Sequence, residues 1–179
     1  KISRKVKPKP VKRIKKRLIL KMAVVDSSVL IPLSKINKLS LLKRYFSSIL
    51  ITQDVRTEVS TGTGASEIEL ACKNWIKVEN PKNRKEVSRI SKLEDIEKAD
   101  ASVIILAKEK RKILLSNDYA LIMVARSKGV ECWWLTTFLL RCLKKKIITK
   151  MEAKQILFLL VESGMNLDNA IYAAILREI

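Results

Sequence analysis

Four carboxylates stand where a parallel α/β sheet would bring them together. Asp26 ends the apolar run 22–25, and Asp118 follows the run 113–116 by one residue. Glu58 comes shortly after the run 49–52, and Asp100 lies early in the helical stretch that leads to 113–116. In open sheets of this kind, ligands bind at the carboxyl ends of the strands. Acids gathered there repel one another unless a cation or a shared proton relieves them. Hard oxygen donors suit Mg²⁺ or Mn²⁺, and a divalent cation held by carboxylates supports phosphodiester hydrolysis without histidine. Each acid also has an ordinary reading. Asp26 and Asp118 are strong N-cap residues for the helices that follow, Asp100 complements a helix dipole, and Glu58 fits an exposed helix face.

These acids sit in a basic chain. The 179 residues carry 37 Lys or Arg, 18 Asp or Glu and no His, a formal net charge of +19 at pH 7. Without His there is no Ser-His-Asp triad, no Cys-His pair and no His-ligated zinc. Cys72, Cys132 and Cys142 have no C-x-x-C spacing, which removes a zinc knuckle and a dithiol redox motif. An odd, scattered set of thiols suits a reducing cytoplasm better than a secreted scaffold. An apolar content of 47% belongs to globular rather than disordered chains. Apolar runs such as 156–161 are too short to cross a bilayer, and Lys21 and Asp26 interrupt the stretch 18–33 that would otherwise pass for a signal segment. The expectation is a cytoplasmic protein with no membrane contact.

The positive charge is concentrated. Residues 1–21 hold 11 Lys or Arg and no acid, and Pro8 and Pro10 oppose an early helix there. Met22 directly precedes the first strand pattern, so 1–21 reads as a basic N-terminal arm on a body that folds alone. Cations that neutralise phosphates release counterions. Lys5, Lys7, Lys9, Lys12, Arg13, Lys15, Lys16 and Arg17 are therefore candidate RNA contacts, and Lys144, Lys145 and Lys146 form a second basic run.

Along the body, strand patterns cover 22–25, 49–52, 113–116 and 131–135, with an edge strand at 76–78. Helical spacing covers 29–46, 53–60, 67–75, 93–110, 119–128 and a stretch starting at 138; residues 62–64 and 80–85 read as loops. Gly129 ends the helix before it. Thr149 and Glu152 fit a capping box, Gly164 closes that helix, and Asp168 or Asn166 caps a last helix reaching Arg177. This alternation argues for an α/β fold, a parallel sheet with helices on both faces. It divides into the arm (1–21), a main domain (22–147) and a C-terminal helical extension (148–179).

The segments VVDSSVLI with Asp26, ILIT and then TEV with Glu58, IEKADASVIILA with Asp100, and ILLSND with Asp118 together resemble the PIN-domain nucleases, over roughly residues 23–143. The GTG loop, the WIKV segment and the helical tail after Lys146 are most similar to a nucleic-acid-binding subgroup of that family in archaea and bacteria. The resemblance implies a three-layer α/β/α sandwich around a parallel sheet, and Mg²⁺- or Mn²⁺-dependent endoribonuclease activity. It also implies kinship with VapC-type toxins and ribosomal-RNA processing enzymes. By position it makes Asp26, Glu58, Asp100 and Asp118 the catalytic, metal-holding quartet. Ser28 becomes a hydroxyl supporting Asp26, and Ser116 takes a similar role. Asp100 stands where subgroup relatives carry Glu, one methylene longer, so its reach would run through water. Asn117 replaces a common Asp, Thr136-Thr137 replaces Gly-Thr, and Glu97 is a stand-in ligand one turn before Asp100.

The first functional reading is an RNA-cleaving hydrolase, with Arg56, Arg126 and Lys128 tracking the backbone or serving as ordinary surface charge. The second is a non-catalytic RNA-binding or ribosome-associated protein that keeps this fold as a scaffold and is anchored by its arm. The third is a toxin held silent by an antitoxin protein on the apolar helical tail; homodimers are common in the family. Trp133 and Trp134 are base-stacking candidates, although their strand pattern assigns at least one to the core.

Overall fold

A computed structural model describes residues 22–179, so the arm and its eight candidate RNA contacts lie outside the described residues. Five short strands form one parallel sheet: β1 (Met22–Val25), β2 (Ser48–Ile51), β3 (Ile76–Val78), β4 (Ile113–Leu115) and β5 (Cys132–Trp133). MAVV, SILI and ILL are near-continuous aliphatic runs. That pattern marks strands covered on both faces, because parallel strands need crossovers and the crossover helices supply the cover. The strand order is β3-β2-β1-β4-β5. The chain steps outward from β1 to β3, then returns to set β4 on the other side of β1. Winding therefore reverses between β1 and β4, which opens a crevice at their carboxyl ends. Val25 pairs with Leu115, and the Asp26 N–H extends that ladder to Leu115 O at 2.9 Å.

Helices α1 (Ser27–Lys35) and α2 (Ser40–Tyr45) join β1 to β2, and α3 (Gln53–Glu58) and α4 (Ala65–Asn74) join β2 to β3. Helices α5 (Arg84–Glu94) and α6 (Lys98–Lys110) lead to β4, and α7 (Tyr119–Ser127) leads to β5. The chain ends in α8 (Leu135–Lys144), α9 (Lys150–Glu162) and α10 (Asn169–Glu178). Thr149 and Glu152 form the expected capping box on α9, and Asp168, not Asn166, caps α10. Among the described residues, no helix is long and apolar enough to cross a membrane.

Three boundaries correct the sequence reading. The spacing over 29–46 is split into α1 and α2, and Asn37, between them, takes a left-handed φ of 55° that Asn tolerates. Helix α5 occupies a segment read partly as loop. Val87 and Ile90, one helical turn apart, are the buried residues of RKEVSRISKLE, and the rest of the segment is largely charged or polar. Strand β5 has two residues rather than the five of 131–135, because Trp134 leaves the ladder to become the N-cap of α8, which starts at Leu135 and not at 138.

Helix α6 buries Ala101 through Ala107 without interruption. Val103, Ile104, Leu106 and Ala107 join the main core, while Ala101 and Ile105 pack on Val87 and Ile90 of α5. A helix covered from both sides is apolar all round. Tyr45, Phe46, Trp133 and Phe138 form an aromatic cluster with centroids 4.7–6.2 Å apart. Ile156, Leu157, Leu160 and Ile175 from α9 and α10 share the interior of the sheet. Gly64 opens α4 at φ 89°, where a Cβ would collide with the Ser34 side chain of α1.

Candidate active site

Asp26 is the first residue beyond β1, on the middle strand of the sheet, and is 4% exposed. Its Oδ2 accepts the Ser28 N–H at 3.2 Å, which caps α1. The same oxygen accepts two hydroxyls, from Ser28 at 2.5 Å and from Ser116 at 3.2 Å. The turn between β4 and α7 holds both serines in place. The Asn117 N–H donates to Ser28 Oγ at 2.8 Å, and the Asp118 N–H donates to Ser116 Oγ at 3.0 Å. Two amides thus orient two hydroxyls, and both hydroxyls serve one carboxylate oxygen. Bonds to a charged acceptor are the stronger kind, and here they offset the desolvation of a buried acid.

The other acids are anchored in similar ways. Asp118 Oδ1 accepts the Leu121 N–H at 2.7 Å and caps α7. Glu58 ends α3, and its Oε1 accepts the Ser27 hydroxyl at 2.9 Å. Helix α6 is fastened to the end of β2, where Ser102 Oγ lies 3.1 Å from Oγ1 of the buried Thr52, itself the cap of α3. The capping reading of Asp26 and Asp118 is therefore realised. It uses one oxygen of each carboxylate and leaves the other. Ser27, Thr52 and Ser102 were not singled out from the sequence. Ser27 and Thr52 carried a usable signal, a hydroxyl residue just past a strand, where the amides of a starting helix need acceptors.

Asp100 stands in the first turn of α6, half-buried. Its carboxyl is pushed up from 3.8 to about 7, first by burial and then by the negative charge of Asp26, Asp118, Glu97 and Glu58. The crevice at the ends of β1, β2 and β4 therefore gathers all four acids, with Glu97 beside them. Among the described residues, no three Asp, Glu or Cys side chains close into a metal-ligand group. The donor set itself suits a hard divalent cation, being all oxygen and all acidic. Thiol chemistry has no place here, since burial pushes Cys132 to about 11 and Cys142 to about 12.

The basic candidates on the body do not surround the acids. Arg126 reaches Cys132 O at 3.4 Å, at the start of β5. Lys128 pairs with Glu94 and lines a cleft with Met22, at the start of β1. Both lie at the amino-end rim, opposite the carboxylates. Lys144, Lys145 and Lys146 occupy that same rim: Lys145 Nζ sits 3.9 Å above the Tyr45 ring, just ahead of β2. Arg56 remains on the carboxyl side but pairs with Glu69 at 3.1 Å. Arg84 and Lys98, not singled out from the sequence, line a cleft with Gln53 and Ser102 beside the acids. Trp133 is core, while Trp134 is half-buried and stacks on Tyr119.

A family model described as a PIN domain (DUF3368) matches residues 22–179. Curated proteins give no match. Among solved structures, the chain is similar to PAE2754 from Pyrobaculum aerophilum, with 20% identity, a TM-score of 0.49, and coverage of 68% of this chain and 96% of that one. It is also similar to a domain of a functionally unknown protein from Methanocaldococcus jannaschii, with 24% identity, a TM-score of 0.42, and coverage of 64% and 90%.

Proposed function

The chain belongs to the PIN-domain family, and from that premise we propose that it is a metal-dependent endoribonuclease that hydrolyses phosphodiester bonds in RNA. One observation carries the reading: Asp26, Glu58, Asp100 and Asp118 crowd one crevice, where burial first and then the negative charge of its neighbours raise the proton affinity of Asp100. Asp26 and Asp118 would hold Mg²⁺ or Mn²⁺ through the oxygens their caps leave over, with Asp100 and Glu58 completing the site directly or through water. When bound, the cation supplies a Lewis acid that sharpens a water nucleophile and offsets charge on the phosphoryl oxygens. Ser28 and Ser116 fix the pose of Asp26, so its remaining oxygen is presented in one direction. Asp100, protonated more readily than an ordinary carboxyl, would give up that proton in holding a cation. Glu58, held through Oε1 by Ser27, keeps its second oxygen to accept a proton from the attacking water.

A second reading, a non-catalytic RNA-binding or ribosome-associated protein, draws on the 11 cationic residues of 1–21. One experiment separates the two. The full chain is incubated with single-stranded RNA and Mn²⁺ or Mg²⁺, with a chelator control and with the variants Asp26→Asn and Asp118→Asn. The nuclease reading expects cleavage by the wild type that the chelator and either variant abolish. A wild type that binds RNA tightly and never cuts it leaves only the second reading.

A further inference from the structure

A cleft of about 740 Å³ opens beside the carboxylates, on the β4–β5 side of the crevice. Its wall is shared with the acid site. Ser28, whose hydroxyl serves Asp26, lines it, and so does Asn117, the neighbour of Asp118. Two aromatic rings also line it. Tyr119 is 68% exposed, and it stacks on Trp134 with centroids 6.5 Å apart and planes inclined by 29°. Ile31 and Ile171 add apolar surface, and Asn117 and Asn166 carry side-chain amides. Asp168 is at the rim, where its Oδ1 accepts the first two amides of α10 and caps that helix.

An exposed tyrosine backed by a tryptophan is poorly placed for core packing and well placed for stacking on a flat ring. Aromatic side chains hold the bases of single strands in this way, with amides reading base edges. A paired base has its faces already occupied by its neighbours, so the cleft selects for an unpaired one. We propose that this cleft is a nucleobase pocket. A base flanking the bond to be cut stacks on Tyr119 and Trp134, Asn117 and Asn166 contact its edge, and its phosphate is delivered to the carboxylates. This rests on the RNA reading above and adds to it a stacking site for one base beside the carboxylates.

The test measures binding by the full chain in chelator, where no cleavage occurs. The probe is a short fluorescein-labelled single-stranded RNA, compared with the same backbone carrying abasic positions. Tyr119→Ala and Trp134→Ala are each expected to weaken RNA binding roughly ten- to hundredfold, as the loss of a base stack does, with Trp134→Phe close to wild type. The slope of affinity against salt should stay unchanged, because no phosphate contact is removed. Abasic RNA should bind the wild type as weakly as intact RNA binds the variants. Tyr119 is exposed, so its removal spares the core and decides the matter even if Trp134→Ala unfolds.

Wild-type affinity in Tyr119→Ala would overturn the proposal, and so would a loss accompanied by a shallower salt slope. Unchanged RNA affinity with lost self-association would give the cleft to a second copy of the chain instead. A protein that stacks bases but never cuts RNA would refute the nuclease reading and leave this one standing.

Discussion

Replacing Asp100 by Asn should stabilise the cation-free protein above neutral pH and do nothing at low pH. A carboxyl whose pKa is higher in the folded chain than in the unfolded one binds its proton more tightly when folded. The folded state is therefore penalised only where that proton is lost. The penalty is absent below about pH 4, grows as pH rises, and is complete above the folded value of about 7. A rise from 3.8 to about 7 corresponds to about 4 kcal/mol between the two protonation states. Asp100 is only half-buried, and solvent screening brings this to about 2 kcal/mol. Asn keeps the shape and cannot ionise. Urea unfolding in chelator should give equal stabilities for the two proteins at pH 4, and an advantage of about 2 kcal/mol for Asp100→Asn at pH 8. For a body of this size, that is roughly 4–8 °C in Tm. Adding Mn²⁺ at pH 8 should then raise the wild type more than the variant, since only the wild type has a fourth negative charge to relieve. Parallel pH profiles for the two proteins would refute the claim that like charges converge on Asp100.

Two further outcomes follow from the same contacts. Ser28→Ala or Ser116→Ala should each cost about 1–3 kcal/mol in urea unfolding, because each removes a hydroxyl bond to a buried carboxylate; a double variant matching the sum of the singles would show that the two hydroxyls do not act on Asp26 together. Leu160→Ala should cost about 2–5 kcal/mol within one cooperative transition, since α9 shares the interior of the sheet, and an early separate transition in calorimetry would contradict that shared core.

The acids were legible because Asp26, Glu58 and Asp118 follow apolar runs and Asp100 opens the helical stretch that leads to another, and strand ends in a parallel sheet all open on one side. What joins them was not legible. The bond from Ser116 to Asp26 depends on Val25 pairing with Leu115, a register between segments about 90 residues apart that no local pattern encodes. Helix α5 did carry a local signal, Asn83 as its cap and Val87 and Ile90 one turn apart, although its mostly charged sequence resembles a loop. Charge alone leaves Arg126 and Lys128 as either RNA contacts or ordinary surface charge. A helix leaving the carboxyl end of β4 must finish near the opposite rim, so direction of travel, not charge, decides where such residues lie.

Asp26 directly follows the strand with hydrogen-bonded neighbours on both sides, whereas Tyr119, Trp134 and Asn166 lie on loops and helix ends at the margin. Those two zones tolerate change very differently. A substitution near Asp26 disturbs two ladders at once, but one at the margin alters a surface and little else. The surface that a ligand meets can accordingly drift among descendants while the carboxylate cluster stays put, so the margin is where an engineer seeking a new binding preference should begin.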